Sequence, residues 1–272
     1  RLDRALARLG GLDEIPAKDS WSLPGTYFKK NAEYYAQLGR KRARGKSVCT
    51  SNPDVARLFA DAYVAMSKDG KKAASMRLPN DSNFCACDAC KALDVPDCID
   101  PGNGAVSMSD RMAHFLKAIG EILSKEAPGF TLHFYCQAGY TLAPRAVTKL
   151  PDNLVIWVRT MHFCRLHGVG NPDCESRLRY RATMEGWAKL GCHTACYDYD
   201  YNLAECTVPI SKITYVKENI PFLKKTGCVA INMDSVSGWN LYGPHSYLAD
   251  RLMWKADSDP DAILADYYEK CV

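Results

Sequence analysis

The sequence predicts an α/β protein of the (β/α)8 TIM-barrel type. Short, apolar, β-prone runs alternate with helical patterns, which is typical of parallel strands joined by crossover helices. Connections that follow helices are short and those that follow strands are long, so the long loops should gather at one end of the sheet. An open doubly wound sheet is the alternative, but no Gly-x-Gly-x-x-Gly or Walker-type loop supports it.

The strands are predicted from apolar runs bounded by turn residues. They fall at 132–136, 155–158 and 229–233, with weaker candidates at 73–78, at 192–197 and near 12–18. That count of about six is two short of a closed barrel. Because residues 1–9 resemble the tail of an amphipathic helix, we expect an N-terminally truncated barrel whose first two strands lie upstream of residue 1.

The helices are predicted from apolar periodicity and capping signals. The first is predicted at 52–67, with Ser51 or Asn52 as its cap and Pro53 in its first turn. A second begins at Ser107 or Ser109. Four more are predicted at 173–189, 211–225, 244–255 and 260–270.

Composition narrows the classes of function. The chain has 272 residues, 47% of them hydrophobic, and a net charge of +4. No apolar stretch reaches about 18 residues, so we expect no membrane insertion. The basic run at 40–46 is either a nucleic-acid patch or a solvated turn. Because no aromatic stacking pattern accompanies the run, we favour the turn and expect no nucleic-acid partner.

The carboxyl ends of the predicted strands carry acidic and aromatic residues. Asn80 and Asp81 follow the strand at 73–78, where a carboxylate serves either as an acid or base or as an Asx turn. At 197–201, strand alternation places Tyr197 and Tyr199 on one side and Asp198 on the other. Aromatic faces beside carboxylates are typical of a sugar-binding site. The alternative is an exposed strand end whose tyrosines have no binding role.

Two later loops add to this predicted site. Asp234 follows the strand at 229–233, and Trp239 comes five residues after it. The tryptophan is either a platform for a sugar ring or an apolar cap on the barrel. His162, with Cys164, His167 and Cys174, offers metal-ligand chemistry, but the spacing matches no zinc template. Structural hydrogen bonding or a Cys164–Cys174 disulfide is the favoured interpretation.

Cysteine is abundant, with 13 in the chain, which makes an oxidising compartment plausible. Cys85, Cys87 and Cys90 form a Cys-x-Cys-x-x-Cys pattern, and Cys98 is close by in sequence. Three interpretations stay open: a disulfide such as Cys85–Cys90, a zinc site, or inert buried thiols. We favour the disulfide and predict no metal or other cofactor, with zinc at these three cysteines as the weaker alternative.

Several stretches together resemble a bacterial family of glycan-degrading proteins, long described as a domain of unknown function, whose characterised members are endo-β-N-acetylglucosaminidases of glycoside hydrolase family 163. The matching stretches span nearly the whole chain in a consistent order. They are 27–36, 48–55, 79–81, 84–90, 109–111, 164–167, Cys174, 186–187, 197–199 and 252–254.

This resemblance implies one glycosidase-like barrel domain over residues 1–272, as a fragment of a longer secreted or periplasmic protein. It implies hydrolysis of N-acetylglucosamine-containing glycans, in which the 2-acetamido group of the sugar attacks the anomeric carbon with retention. The partner would be a glycan or glycoprotein substrate. A non-catalytic carbohydrate-binding or interaction domain on a decayed barrel is the alternative.

Combining the residues with the resemblance, we predict two catalytic carboxylates. Asp81 is the candidate general acid, and Asp198 is the candidate carboxylate that polarises the acetamido group. The predicted substrate-binding residues are Asn80, Tyr197, Tyr199, Asp234, Trp239 and His162.

Overall fold

A five-stranded parallel sheet contains the strands that the sequence predicts. The computed structural model describes residues 23–44, 47–76, 83–137, 139–202, 208, 210–235 and 238–271. The strands are β1 (Gln37–Leu38), β2 (Lys41–Arg42), β3 (Ala73–Met76), β4 (Thr131–Cys136), β5 (Leu154–Arg159), β6 (His193–Tyr199) and β7 (Cys228–Asp234). Strands β3 to β7 lie in chain order in the parallel sheet, which confirms the predicted arrangement. The strand predicted near 12–18 lies outside the described residues.

Helices flank this sheet and agree closely with the prediction. They are α1 (Pro53–Lys68), α2 (Asp88–Lys91), α3 (Ser109–Glu126), α4 (Glu175–Ala188), α5 (Ile213–Lys225), α6 (Trp239–Trp254) and α7 (Pro260–Cys271). The Asn52 side chain accepts a hydrogen bond from the Asp54 N–H at 2.9 Å, so the predicted cap of α1 is confirmed. None of the described helices is long and apolar enough to cross a membrane.

One helix boundary was predicted wrongly. The pattern placed the start of α6 at 244, where Pro244 would occupy a favoured first-turn position. In the structure the helix begins at Trp239, after Gly238, and continues through Pro244. Trp239 is therefore the first residue of a helix rather than a residue of the preceding loop.

The basic run at 40–46 lies partly in a hairpin. Strands β1 and β2 are antiparallel, and Gly39 between them has a φ of 60°, which glycine adopts without strain. Arg40 and Lys41 are exposed, as a solvated turn predicts. Arg42 differs, because its guanidinium is half-buried and donates to the Tyr35 carbonyl at 2.8 Å.

The chain divides into two compact units, each with its own core. The first contains the described residues up to Asp94, Asp110–Tyr135 and Leu150–Val155. Its core joins α1 to α3, where the rings of Phe59 and Phe115 meet edge to face at 5.3 Å. In the same core Tyr63 of α1 packs on Phe130, just before β4, at 6.3 Å.

The second unit contains Val95–Ser109, Cys136–Lys149 and the described residues from Ile156 onward. Its largest buried side chains include Trp157 of β5 and Trp187 of α4. The Trp187 indole N–H donates to the Thr141 carbonyl at 3.1 Å. A second apolar cluster joins α5, α6 and α7 through residues that include Val216, Leu248 and Leu264.

Candidate functional site

Strand β6 separates two sets of polar residues by its alternation. Its even-numbered residues point toward helices: Cys196 Sγ lies 3.3 Å from the Tyr180 hydroxyl of α4, and Asp198 accepts from the Tyr215 hydroxyl of α5 at 2.7 Å. Because successive side chains of a strand alternate between faces, Tyr197 and Tyr199 point the other way. This confirms the predicted separation of the tyrosines from Asp198.

Asp198 is enclosed in a hydrogen-bond network on the helix-facing side. The residue is 3% exposed, and its carboxylate accepts from the Thr160 hydroxyl at 2.6 Å, the Tyr215 hydroxyl at 2.7 Å and the Tyr199 N–H at 2.8 Å. Lys212 Nζ is buried 3.9 Å from its carboxylate. Burial lowers the pKa of Lys212, and the Asp198 charge opposes that shift. These contacts compensate the cost of burying the carboxylate, and its predicted catalytic role stays a prediction.

The opposite side of β6 carries a second group of polar side chains. We call Arg159, Tyr197, Tyr199 and Asp234 the Tyr197 face. In the register of β6 and β7, Tyr197 lies opposite Asn232 and Tyr199 opposite Asp234. Neighbours across a parallel pair share a face of the sheet, so Asp234 lies on the side of the two tyrosines.

Contacts within the Tyr197 face are direct. The Tyr197 hydroxyl donates to Asp234 Oδ2 at 3.3 Å, and the Arg159 guanidinium lies 4.6 Å from the centre of the Tyr197 ring. The Tyr197 and Tyr199 rings are 5.4 Å apart. Burial, followed by the negative charge of Asp234, raises the pKa of Tyr197. The hydroxyl therefore remains a proton donor at neutral pH, next to a half-buried carboxylate.

Arg159 was missed by the sequence interpretation. It is the last residue of β5, directly after an apolar run that is buried from Leu154 to Val158. The rule applied to Asp81 and Asp234, that polar residues at strand ends reach the site, would have selected it as well. Its guanidinium also donates to Gln137 Oε1.

The remaining predicted residues have varied surroundings. Trp239 is 49% exposed, and its ring lies 5.7 Å from Tyr267 of α7, so it packs on one side and is open on the other. His162 is half-buried, and its Nε2 has no hydrogen-bond partner among the described residues. Asn80 and Asp81 lie outside the described residues, so their roles stay predictions.

Four cysteines of the first unit form a second site, which we call the four-cysteine group: Cys49, Cys85, Cys87 and Cys90. All four are buried, and their sulfur atoms lie within 4.8 Å of one another. This confirms that the Cys-x-Cys-x-x-Cys pattern is compact. The fourth member is Cys49, and Cys98, which is closer in sequence, does not belong to the group. Cys49 lies 38 residues before Cys87, and no local spacing signals that contact.

The thiols of this group are free. The structure has no disulfide among its twelve described cysteines, so the favoured Cys85–Cys90 and Cys164–Cys174 pairings are not formed. Hydrogen bonds from the Cys85 and Cys90 thiols lower the pKa of Cys49 to about 2. Hydrogen bonds to Cys49 and Cys90, followed by burial, raise the pKa of Cys85, because they favour its protonated form.

A smaller group lies in the second unit. Cys164, His167 and Cys174 have ligand atoms within 4.8 Å of one another, and Cys164 Sγ is 3.5 Å from His167 Nδ1. His167 is exposed and both cysteines are half-buried. The sequence pattern grouped His162 with these three residues, but the group found in the described part of the chain does not include it.

The fold and these sites define an α/β protein with a polar face at the carboxyl end of its parallel strands and a buried thiol group in its first unit. The chain belongs to the family described as "Domain of unknown function (DUF4838)", whose model matches residues 18–272. A search of curated proteins finds no significant match. The family description states no activity.

Proposed function

We propose that this chain is part of a glycoside hydrolase that cleaves N-acetylglucosamine-containing glycans by substrate-assisted, retaining hydrolysis. Two arguments support the proposal. The first is the resemblance of ordered motifs to glycoside hydrolase family 163. The second is the Tyr197 face, which combines aromatic rings, a carboxylate and a cation at strand ends. We further propose that β3 to β7 are consecutive strands of a (β/α)8 barrel, since they are parallel and in chain order.

The observation that carries the proposal is the contact between Tyr197 and Asp234. A tyrosine hydroxyl 3.3 Å from a half-buried carboxylate forms a polar pair on the side of β6 away from the packed helices. In parallel α/β folds the carboxyl ends of strands are where ligands bind. Sugars present both hydroxyl and apolar C–H surfaces, and this pair offers a partner for each.

In the proposed reaction, the acetamido oxygen of the sugar attacks its own anomeric carbon while the glycosidic bond breaks. The leaving oxygen takes a proton from a general acid, for which Asp81 is the candidate. The Asp81 carboxylate then takes a proton from water as the water oxygen opens the cyclic intermediate at the anomeric carbon, which restores the acetamido group and the original configuration.

We assign Asp234 to the acetamido group, as the carboxylate that accepts its N–H and balances the positive charge that develops on it. Tyr197 would then donate to an oxygen of the bound sugar. Arg159, above the ring, would hold that ring in place. Asp198 supports the same strand end through the Tyr199 N–H, which favours a positioning role over direct contact with the sugar.

The proposed cellular location and substrate follow from the same resemblance. We propose a secreted or periplasmic protein with a glycan or glycoprotein as its substrate. Half-exposed Trp239 is a candidate platform for a sugar ring.

The test is a glycan-release screen with the full-length protein on complex and high-mannose N-glycoproteins, with products identified by mass spectrometry. We expect Asp234→Asn to lower kcat about 10²–10³-fold, because a charge-stabilising group is lost. Tyr197→Phe should lower kcat about 2–12-fold, equivalent to one hydrogen bond. The matched control is Asp257→Asn, an exposed carboxylate paired with Lys224, which should retain full activity.

Two results would contradict the proposal. If Asp234→Asn turns over substrate as fast as the wild type, the assignment of the Tyr197 face is wrong. If the wild type binds these glycans and releases none, the carbohydrate-binding alternative replaces the hydrolase.

A further inference from the structure

The four-cysteine group has the geometry of a tetrahedral metal site. Four sulfurs placed 2.3 Å from a central zinc ion are about 3.8 Å apart along each edge of the tetrahedron. Cys49 Sγ lies 3.7 Å from Cys87 Sγ and 3.8 Å from Cys90 Sγ, and Cys85 Sγ lies 3.4 Å from Cys87 Sγ. Disulfide sulfurs, by comparison, are about 2.05 Å apart.

The surroundings of these sulfurs supply hydrogen-bond donors. The Gln37 N–H donates to Cys85 Sγ at 3.3 Å, and the Arg42 guanidinium reaches the same sulfur at 3.5 Å. The Cys90 thiol donates to Ser51 Oγ at 3.2 Å, and the serine hydroxyl can donate in return once that sulfur is a thiolate. Metal-bound thiolates are stabilised by such outer contacts, which also orient them. The half-buried Arg42 in a hairpin of otherwise exposed basic residues is explained by this contact.

The group also joins segments that are distant in sequence. Cys49 precedes α1, whereas Cys85, Cys87 and Cys90 lie before and within α2. The loop that carries them is held to the hairpin by the Ala86 N–H, which donates to the Gln37 carbonyl at 2.8 Å. Arg111 of α3 donates to the Cys85 carbonyl at 2.6 Å. Such a closed set of four ligands leaves no open position, which is typical of structural rather than catalytic zinc.

We propose that Cys49, Cys85, Cys87 and Cys90 bind one structural Zn²⁺ ion that holds the loop at 83–91 against the β1–β2 hairpin and the entry to α1. The four cysteines bind as thiolates, so each one that is still protonated releases its proton on binding, with no change in oxidation state. The inference does not depend on the proposed glycosidase activity.

The experiment is elemental analysis of the full-length protein purified without added metal, followed by exchange of the zinc for Co²⁺. We expect about one zinc per chain and, after exchange, the intense visible absorption of tetrahedral cobalt thiolate. Cys90→Ser should lose the metal. Ser51→Ala keeps all four ligands and should weaken zinc affinity about 10-fold, the lower end of the effect of an outer contact.

The controls use cysteines outside the group. Cys98→Ser, and the double variant Cys164→Ser with Cys174→Ser, should both retain one zinc per chain. Loss of zinc in the double variant would assign the metal to the smaller group and overturn the proposal. So would iron in place of zinc, a Cys85–Cys90 disulfide in the mass spectrum, or metal-free wild type with four titratable thiols. None of these outcomes is measured on Cys90→Ser, so the proposal can be tested even if that variant folds poorly.

Discussion

The two faces of β6 differ although their residues alternate along one strand. On the helix-facing side, Asp198 is buried and accepts three hydrogen bonds of 2.6–2.8 Å. On the other side, Tyr197 and Asp234 are half-buried and meet through one longer contact of 3.3 Å. A saturated, buried carboxylate contributes to a rigid structure, whereas a partly solvated pair can exchange its contact for a ligand. Two acidic residues at neighbouring strand ends therefore have different surroundings, because Asp198 is enclosed and Asp234 is accessible to a ligand.

The largest expected effect is on the helix-facing side. Asp198→Ala should lower the free energy of unfolding by about 3–5 kcal/mol, because it leaves Lys212 as a buried charge without its partner. Urea denaturation followed by circular dichroism measures this. Asp234→Ala, on the half-exposed face, should cost less than about 1 kcal/mol. Equal losses in the two variants would abolish the distinction between the faces.

A smaller difference in stability is expected between two Tyr→Phe variants, each of which loses only a hydroxyl group. Tyr215→Phe removes a 2.7 Å hydrogen bond to buried Asp198 and should cost about 1.5–3 kcal/mol of stability. Tyr197→Phe removes the 3.3 Å contact to Asp234 and should cost about 0.5 kcal/mol or less. The same denaturation measurement compares them. A larger loss for Tyr197→Phe would show that the Tyr197 face has the structural role instead.

The smallest expected effect is a pH dependence on the helix-facing side. His245 Nδ1 accepts from the Lys212 N–H at 3.4 Å, so its Nε2 carries the proton and donates to the Asp200 carbonyl at 2.8 Å. Burial lowers the pKa of His245. The unfolded chain then binds a proton at a higher pH than the folded one, so stability should fall as pH drops through the unfolded value of about 6.5.

The measurement is the midpoint of urea denaturation at pH 7.5 and 5.5. Burial also lowers the pKa of His133, which contributes in the same direction, so the wild type should lose stability at the lower pH. His245→Gln should show a weaker pH dependence than the wild type. His193→Gln, which removes an exposed histidine at the start of β6, is the matched control and should retain the wild-type dependence. An unchanged dependence in His245→Gln would contradict the assignment.

Much of the fold could be predicted because its signals are local. The apolar run at 155–158 predicted β5, which is buried along most of its length. The alternation at 197–201 predicted which side each residue of β6 faces. The start of α6 was missed because Pro244 is a plausible first-turn residue, and only packing of the preceding turn decides whether the helix begins earlier.

The candidate sites were predicted less completely, because contacts between distant segments leave no periodic signal. Cys85, Cys87 and Cys90 were grouped correctly from their spacing, but the sequence did not indicate Cys49 as their fourth partner. The catalytic role of Asp198 stays a prediction, but its contacts with α5 and Lys212 could not be predicted, since they are set by the packing of helices on the sheet.

Residues within a few positions of one another set the order of strands and helices, the alternation of β6 and the grouping of the three spaced cysteines, so these features could be predicted from the chain alone. The folded structure was needed to show that Cys49 joins those cysteines, that Arg159 lies over Tyr197 and that Asp198 is enclosed. Side-chain burial and hydrogen-bond partners depend on which segments pack together. For these residues the partners come from separate elements of the chain.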